Sequence, residues 1–198
     1  EDLEKKLSNL NPNIIINTLA YTLVDEAEND KKNAFALNTL FPTILAKWCY
    51  ENNCLLVHFS SDYVFSGKGT IPRTEDSNTN PINYYGLTKL KGDLAIKNSK
   101  ANSVILRCSW IYSFSHNSFL KTIINKMQIE NELNIVDDQI GTPTSARWVA
   151  EVTKKLFTNP KLTNGFHLIN CVPDGFASWY EFSILIFELI KKGKFNIK

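Results

Sequence analysis

The apolar run Leu55-Leu56-Val57-His58-Phe59 stops abruptly at Ser60-Ser61-Asp62, and it constrains the fold more than any other stretch of the chain. An unbroken apolar run of strand length fits a strand covered on both faces, as parallel sheets require. Similar runs recur at Ile14-Ile15-Ile16, Ser103 to Arg107 and Gly165 to Ile169. Helical stretches separate the first three, about Asn33 to Glu51 and then from Tyr85 to about Asn98. Such alternation predicts an α/β fold with a parallel sheet and right-handed crossovers. A helix over Asp2 to Leu10 leads into the first strand. From about Phe114 the pattern changes: a helix (Ser118 to Gln128), a short strand (Asn134 to Val136), a turn at Gly141-Thr142-Pro143-Thr144, a helix (Ala146 to Phe157), the strand from Gly165, and a final helix from Ser178.

In open α/β sheets, ligands collect at the carboxyl ends of the strands, so Ser61 and Asp62 are candidates for chemistry. The competing reading is that they cap the next turn. Downstream, Tyr85-Gly86-Leu87-Thr88-Lys89 places a tyrosine and a lysine four residues apart, on one face of a helix. A phenol passes a proton to a carbonyl oxygen efficiently when its pKa, normally about 10, is brought toward neutrality. A nearby ammonium does this by stabilising the phenolate. The pair therefore points to acid–base chemistry at an alcohol or ketone carbon, against the plainer reading of a solvated helix face.

Composition narrows the partners. A net charge of +2 with scattered lysines gives no electrostatic case for nucleic acid. With 43% hydrophobic residues in 198, the chain can bury a real core. No apolar stretch of about 20 residues suggests a membrane span, and the run from Phe182 to Ile190 reads as a packed amphipathic helix. Cys49, Cys54, Cys108 and Cys171 match no zinc spacing and are expected as buried, reduced thiols of a cytoplasmic protein. His58 and His167 lie in strand-like runs and are expected in the core, while His116 lies in a polar loop near Trp110 and is a weak candidate for substrate contact.

Ser61-Asp62-Tyr63-Val64-Phe65 followed by Pro81-Ile82-Asn83-Tyr84-Tyr85-Gly86-Leu87-Thr88-Lys89 resembles the extended short-chain dehydrogenase/reductase family. Within it the chain is most similar to the dTDP-4-dehydrorhamnose reductase family. The segments Asn17 to Glu28, Arg107 to Tyr112 and Asp138 to Thr144 carry that narrower resemblance. It implies a Rossmann-like doubly wound parallel sheet with the first βαβ unit absent, and a smaller C-terminal α/β substrate-binding lobe. On this reading residues 1–113 form a partial NAD(P)-binding region with the catalytic residues and 114–198 the substrate lobe, the two being lobes of one unit. The chain opens at Glu1 without the glycine-rich turn that cradles a cofactor pyrophosphate, and it is read as a fragment at both ends.

The same resemblance implies reduction of the C4 ketone of dTDP-4-dehydro-L-rhamnose, with NADPH or NADH as hydride donor. Tyr85 would be the general acid, Lys89 would lower its pKa and bond the nicotinamide ribose, and Ser61 would bond the substrate oxygen and tune Tyr85. Ala20, Tyr21, Thr22 and Phe59 would pass beside the cofactor together with Tyr85 and Lys89. Ser61, Asp62, Tyr63, Val24 and Trp110 would meet the sugar, Trp110 through an open aromatic face, while Gln139, Thr142 and Pro143 would shape the nucleotide-sugar side. Leu19 stands where the family has small residues. Asn38 would bond backbone near the catalytic strand, or else lie on a helix surface. No metal ligand set is expected; some relatives hold Mg2+ at a subunit contact, but no carboxylate cluster supports it here. A homodimer stays open. So do two other classes: a sibling nucleotide-sugar epimerase or dehydratase, and a non-catalytic subunit resembling the regulatory subunit of methionine adenosyltransferase.

Overall fold

The computed structural model describes residues 2–115 and 118–193. Its elements in chain order are α1 (Asp2–Leu10), β1 (Ile14–Asn17), α2 (Lys31–Phe35), α3 (Phe41–Glu51), β2 (Leu55–Ser61), α4 (Tyr84–Ser99), β3 (Ser103–Cys108), β4 (Ile111–Tyr112), α5 (Phe119–Met127), β5 (Ile140–Gly141), β6 (Thr144–Ser145), α6 (Ala146–Leu156), β7 (Phe166–Asn170), β8 (Ala177–Ser178) and α7 (Trp179–Lys191). They form two compact units, residues 1–108 with 155–170, and residues 109–154 with 171–198. The boundary falls inside α6, and β7 lies wholly in the first unit.

The first unit is Rossmann-like. Its sheet has the order β1-β2-β3-β7, with every neighbouring pair parallel. Val57 pairs with Ile16 on one side and Val104 on the other, so β2 is an interior strand. Leu56, Val57, Val104, Ile105 and Leu106 are fully buried, each stabilising the fold by roughly 1.5–3 kcal/mol. Leu7 of α1, Leu45 and Trp48 of α3, and Ile96 of α4 pack with Leu56 and Ile105 into one core cluster. That core is what fixes α4, and hence Tyr85 and Lys89, against the sheet.

Several sequence expectations shift. β2 runs two residues further than its apolar run, through Ser60 and Ser61, because the ladder to β3 continues to the pair Ser61 and Cys108. The expected single helix from Asn33 begins at Lys31 after an Asp30 cap and is interrupted by a π turn over Ala36–Leu40. His167 is not in the core: β7 is an edge strand, His167 is only half-buried, and its Nε2 lies 2.7 Å from the Asn164 carbonyl oxygen.

In the second unit α5 and α7 share a core of Leu120, Ile123, Ile124, Phe182 and Ile186. Its strands are two-residue ladders, β4 parallel to β6 and β5 antiparallel to β8. The expected strand at Asn134 to Val136 does not form. Instead the Val136 carbonyl accepts a hydrogen bond from Tyr180 N at 3.1 Å, one of the first-turn donors of α7 that has no partner within the helix. Ser178 caps α7 in a reciprocal box with Glu181 and also donates to the Asp137 carboxylate. No helix among the described residues is long and apolar enough to cross a membrane.

Candidate active site

The carboxyl end of β2 and the first turn of α4 meet through a glycine. The Asn83 side chain caps α4 by accepting from Gly86 N at 2.8 Å, which fixes Tyr85 in the first turn and Lys89 one turn later. A Cβ at Gly86 would run into the Tyr63 carbonyl oxygen, so only glycine lets the 3-10 turn Asp62–Val64 press on this helix. The Tyr63 and Tyr85 rings consequently meet edge to face with centroids 5.5 Å apart.

Ser61 caps the turn that follows β2, the plainer of the two readings its position allowed. Its Oγ accepts from Tyr63 N at 3.2 Å and donates to Asp62 Oδ1 at 3.1 Å, capping the turn. It also forms a side-chain hydrogen bond with Tyr85. Tyr85 is buried, and loss of water pushes its phenol up to about 12; the Ser61 bond acts downward, and Asp62, Tyr63 and Cys108 add to the rise. Desolvation of the phenolate dominates, and Lys89, expected to lower it, is not among the groups that shift this phenol.

Lys89 is itself only 1% exposed. Its Nζ donates to the Phe59 carbonyl at 2.6 Å, which leaves two further N–H groups. Burial lowers its ammonium to about 8, opposed by Asp93 and Cys108. His58, whose Nδ1 is 3.0 Å from Asn17 Nδ2, is held well below its ordinary value by burial and by Lys89, so it is a neutral core residue. It lies in the core as expected, though its Nε2 has no hydrogen-bond partner among the described residues.

The segment after β1 is tied to α4 from two sides. Asn38, fully buried, accepts from Tyr21 N at 2.9 Å and donates to Tyr21 O at 3.0 Å and to Thr88 Oγ1 at 3.1 Å. It is therefore not a helix-surface residue, and the backbone it holds is that of Tyr21 rather than of β2. A Cβ at Gly92 would strike the Asn38 carbonyl oxygen, so glycine there admits this close approach. Glu28 accepts from Tyr84 N at 2.7 Å. Tyr21 and Val24 pack with Ala27, Ala34 and Tyr85, while Leu19 is exposed rather than turned into the core. Ala20, Tyr21, Thr22, Phe59, Ser61, Asp62, Tyr63, Tyr85 and Lys89 all belong to this first unit.

Trp110 belongs to the second unit. Its φ is +43°, in the left-handed region that bulky residues rarely enter. Its indole stacks on Trp179 with centroids 3.4 Å apart and planes 6° off parallel. The Gly141 backbone lies against the same ring, closely enough that a Cβ there would collide with it. The open aromatic face expected of Trp110 is therefore taken on one side by Trp179, because stacking removes apolar area of both indoles from water. Thr142 N donates to Ser109 Oγ at 3.3 Å and Thr144 N to the Trp110 carbonyl at 3.1 Å, pinning the 140–145 loop to this corner. Gln139 lines a cavity of about 360 Å³ with Trp179, Phe119 and Ile135. His116 lies outside the described residues. Among the described residues no group of three or more His, Cys, Asp or Glu side chains could hold a metal ion, and all four cysteines are buried thiols outside any disulfide.

A parallel α/β sheet with a serine, tyrosine and lysine gathered at the end of an interior strand defines the class of Rossmann-like proteins with a Tyr-x-x-x-Lys site. The sequence model described as "RmlD substrate binding domain" matches residues 1–198, and the chain belongs to that family. It is similar to the dTDP-4-dehydrorhamnose reductase of Escherichia coli (strain K12), 34% identical over 196 residues, which covers 97% of this chain and 64% of that protein. Among solved structures it resembles a dTDP-4-dehydrorhamnose reductase from Clostridium acetobutylicum (TM-score 0.89, 36% identity, 96% of this chain and 66% of that one). It also resembles the Bacillus anthracis enzyme solved in complex with NADP (TM-score 0.88, 32% identity, 96% and 66%). The chain thus spans a little under two thirds of the length of these relatives.

Proposed function

We propose that the protein carrying this chain reduces the C4 ketone of dTDP-4-dehydro-L-rhamnose to the alcohol, with NADPH or NADH as the reductant, in the cytoplasm. The observation that carries this reading is the convergence of Ser61, Tyr85 and Lys89 at the end of β2 in a chain of the family of the reductases named above. The four buried thiols agree with a reducing compartment.

Tyr85 is the proton donor. With its phenol raised by burial, it stays protonated through the neutral range and has a proton to give as negative charge grows on the carbonyl oxygen. Ser61, hydrogen-bonded to Tyr85, orients the same oxygen, and its one hydroxyl proton, given to Asp62 in the free site, turns to the phenolate as it forms. Lys89 supplies positive charge beside it from a buried position, where electrostatic effects are larger than in water. The two Lys89 N–H groups not used by Phe59, and the Ala20 to Thr22 backbone that Asn38 clamps, fit a nicotinamide riboside. When bound, a reduced nicotinamide supplies hydride to C4. Asp62, Tyr63 and Val24 line the sugar side.

The test is NADPH and NADH consumption with dTDP-4-dehydro-L-rhamnose, on this chain and on the full-length protein that contains it. We expect turnover by the full-length protein and a loss of roughly 10²–10⁴-fold in Tyr85→Phe. Activity should also fall as pH rises above about 8, as Lys89 loses the proton whose charge favours the developing phenolate. Nucleotide binding without reduction of the sugar would contradict the proposal.

A further inference from the structure

A buried polar network lies behind Lys89 that the proton-donating site itself does not use. Asp93 is one helical turn beyond Lys89 on α4, and residues at this spacing share a face, with Cβ atoms roughly 5–6 Å apart. Asp93 is 4% exposed. Its Oδ2 accepts from Ser60 Oγ at 2.9 Å and from Arg107 Nε at 3.2 Å, while Oδ1 is buried with no hydrogen-bond partner among the described residues. Ser60 follows Phe59, whose carbonyl receives Lys89 Nζ. The strand that orients the lysine therefore also anchors the carboxylate.

Burying an ammonium and a carboxylate costs several kcal/mol each unless each finds an opposite charge. Asp93 carries one negative charge and pairs with Arg107 Nε at 3.2 Å, whose Nη1 is buried with no hydrogen-bond partner among the described residues, so Lys89 is the second buried cation near this one carboxylate. Lys89 has no carboxylate within ion-pair distance among the contacts described for it, and its hydrogen bond to Phe59 carries no charge. We propose that Asp93 is a positioning residue: anchored by Ser60 and Arg107, it supplies the counter-charge that keeps the buried Lys89 ammonium ionised beside Tyr85.

Asp93 faces Lys89 from the same helix and the Cys108 thiol from β3, both acting upward on the Lys89 ammonium against burial. His58 of β2 is neutral and feels Lys89 as a repulsion. Asp93 in turn is raised overall, burial outweighing the downward pull of Arg107, Ser60 and Lys89. Asp93 and Arg107 also line a cavity of about 290 Å³ that carries Glu75, Asp76 and Lys97 at its walls.

The inference rests on the reductase reading for its consequence, but its test does not need turnover. The Lys89 titration is followed by NMR of 13Cε-labelled lysine in the full chain, with the resonance assigned by its loss in Lys89→Met. In Asp93→Asn, nearly the same in shape, the Lys89 midpoint should fall by about one unit or more, and Asp93→Glu should restore it. A midpoint unchanged in Asp93→Asn would overturn the proposal. Should Asp93→Asn fail to fold, the 13Cγ shift of Asp93 in the unaltered protein decides: a carboxylate at neutral pH is required, and a protonated carboxyl overturns the idea. Where the full-length enzyme turns over, the alkaline fall in activity should move down with the Lys89 midpoint. Reduction of the sugar with an Asp93-independent Lys89 defeats this inference alone, whereas an Asp93-dependent Lys89 in a protein that reduces nothing defeats the reductase reading alone.

Discussion

The two units hold their candidate residues by different physics. In the first, Ser61, Tyr85 and Lys89 hang on a continuous parallel sheet, and each is oriented by hydrogen bonds: Ser61 to the turn it caps, Lys89 to the Phe59 carbonyl, and the Tyr21 backbone to Asn38. In the second, the ladders are two residues long, and Trp110 is held by ring stacking and the close approach of Gly141. A sheet with long ladders defines positions well enough for single polar contacts to aim a side chain. A unit without such ladders has to use large apolar surfaces and loop pins instead. Polar truncations should therefore hurt the first unit most, and aromatic truncations the second.

The largest expected effect is in the second unit. Trp179→Ala removes the partner of Trp110 and a contact of Phe119, and should cost about 3–5 kcal/mol in chemical denaturation. Next comes the first unit's equivalent. Asn38→Ala strands the Tyr21 N–H and C=O and should cost about 3 kcal/mol, read in the same way. If Asn38→Ala proved nearly neutral while Asn38→Asp did not, the clamp would be electrostatic rather than a matter of buried hydrogen bonds. Gly141→Ala should cost about 1–3 kcal/mol by pushing the Trp110 ring off its stack. Its quickest readout is a changed tryptophan emission. At the bottom stands Arg147→Ala: the pair with Glu151 is exposed at 3.4 Å, and its loss should shift the denaturation midpoint by no more than about 0.5 kcal/mol. An effect above 1 kcal/mol there would mean the second unit relies on surface charge as well as apolar packing.

Much of the first unit was legible in the sequence because its signals are local. The run Leu55 to Phe59 and its polar stop place β2, and the four-residue spacing puts Tyr85 and Lys89 on one face of α4. What escaped was non-local or environmental. The π turn at Ala36–Leu40 has no composition of its own; it is where Asn38 reaches across 17 residues to Tyr21. The direction of the Tyr85 shift depends on burial, which spacing does not reveal. In the second unit Asn134 to Val136 has strand-like residues but no partner strand, and its carbonyl goes to α7. The stack of Trp110 on Trp179 joins residues far apart in sequence, with no motif to announce it. Asp93 and Arg107 read as ordinary helix and strand residues until the buried network is seen.

The most direct test of the central claim is where the hydrogen goes. The full-length protein is given dTDP-4-dehydro-L-rhamnose and NADPH deuterated at the nicotinamide C4, and the product is examined by NMR. The account predicts deuterium at sugar C4, with incorporation falling by orders of magnitude in Tyr85→Phe. A product without deuterium at C4, or full incorporation in Tyr85→Phe, would contradict it.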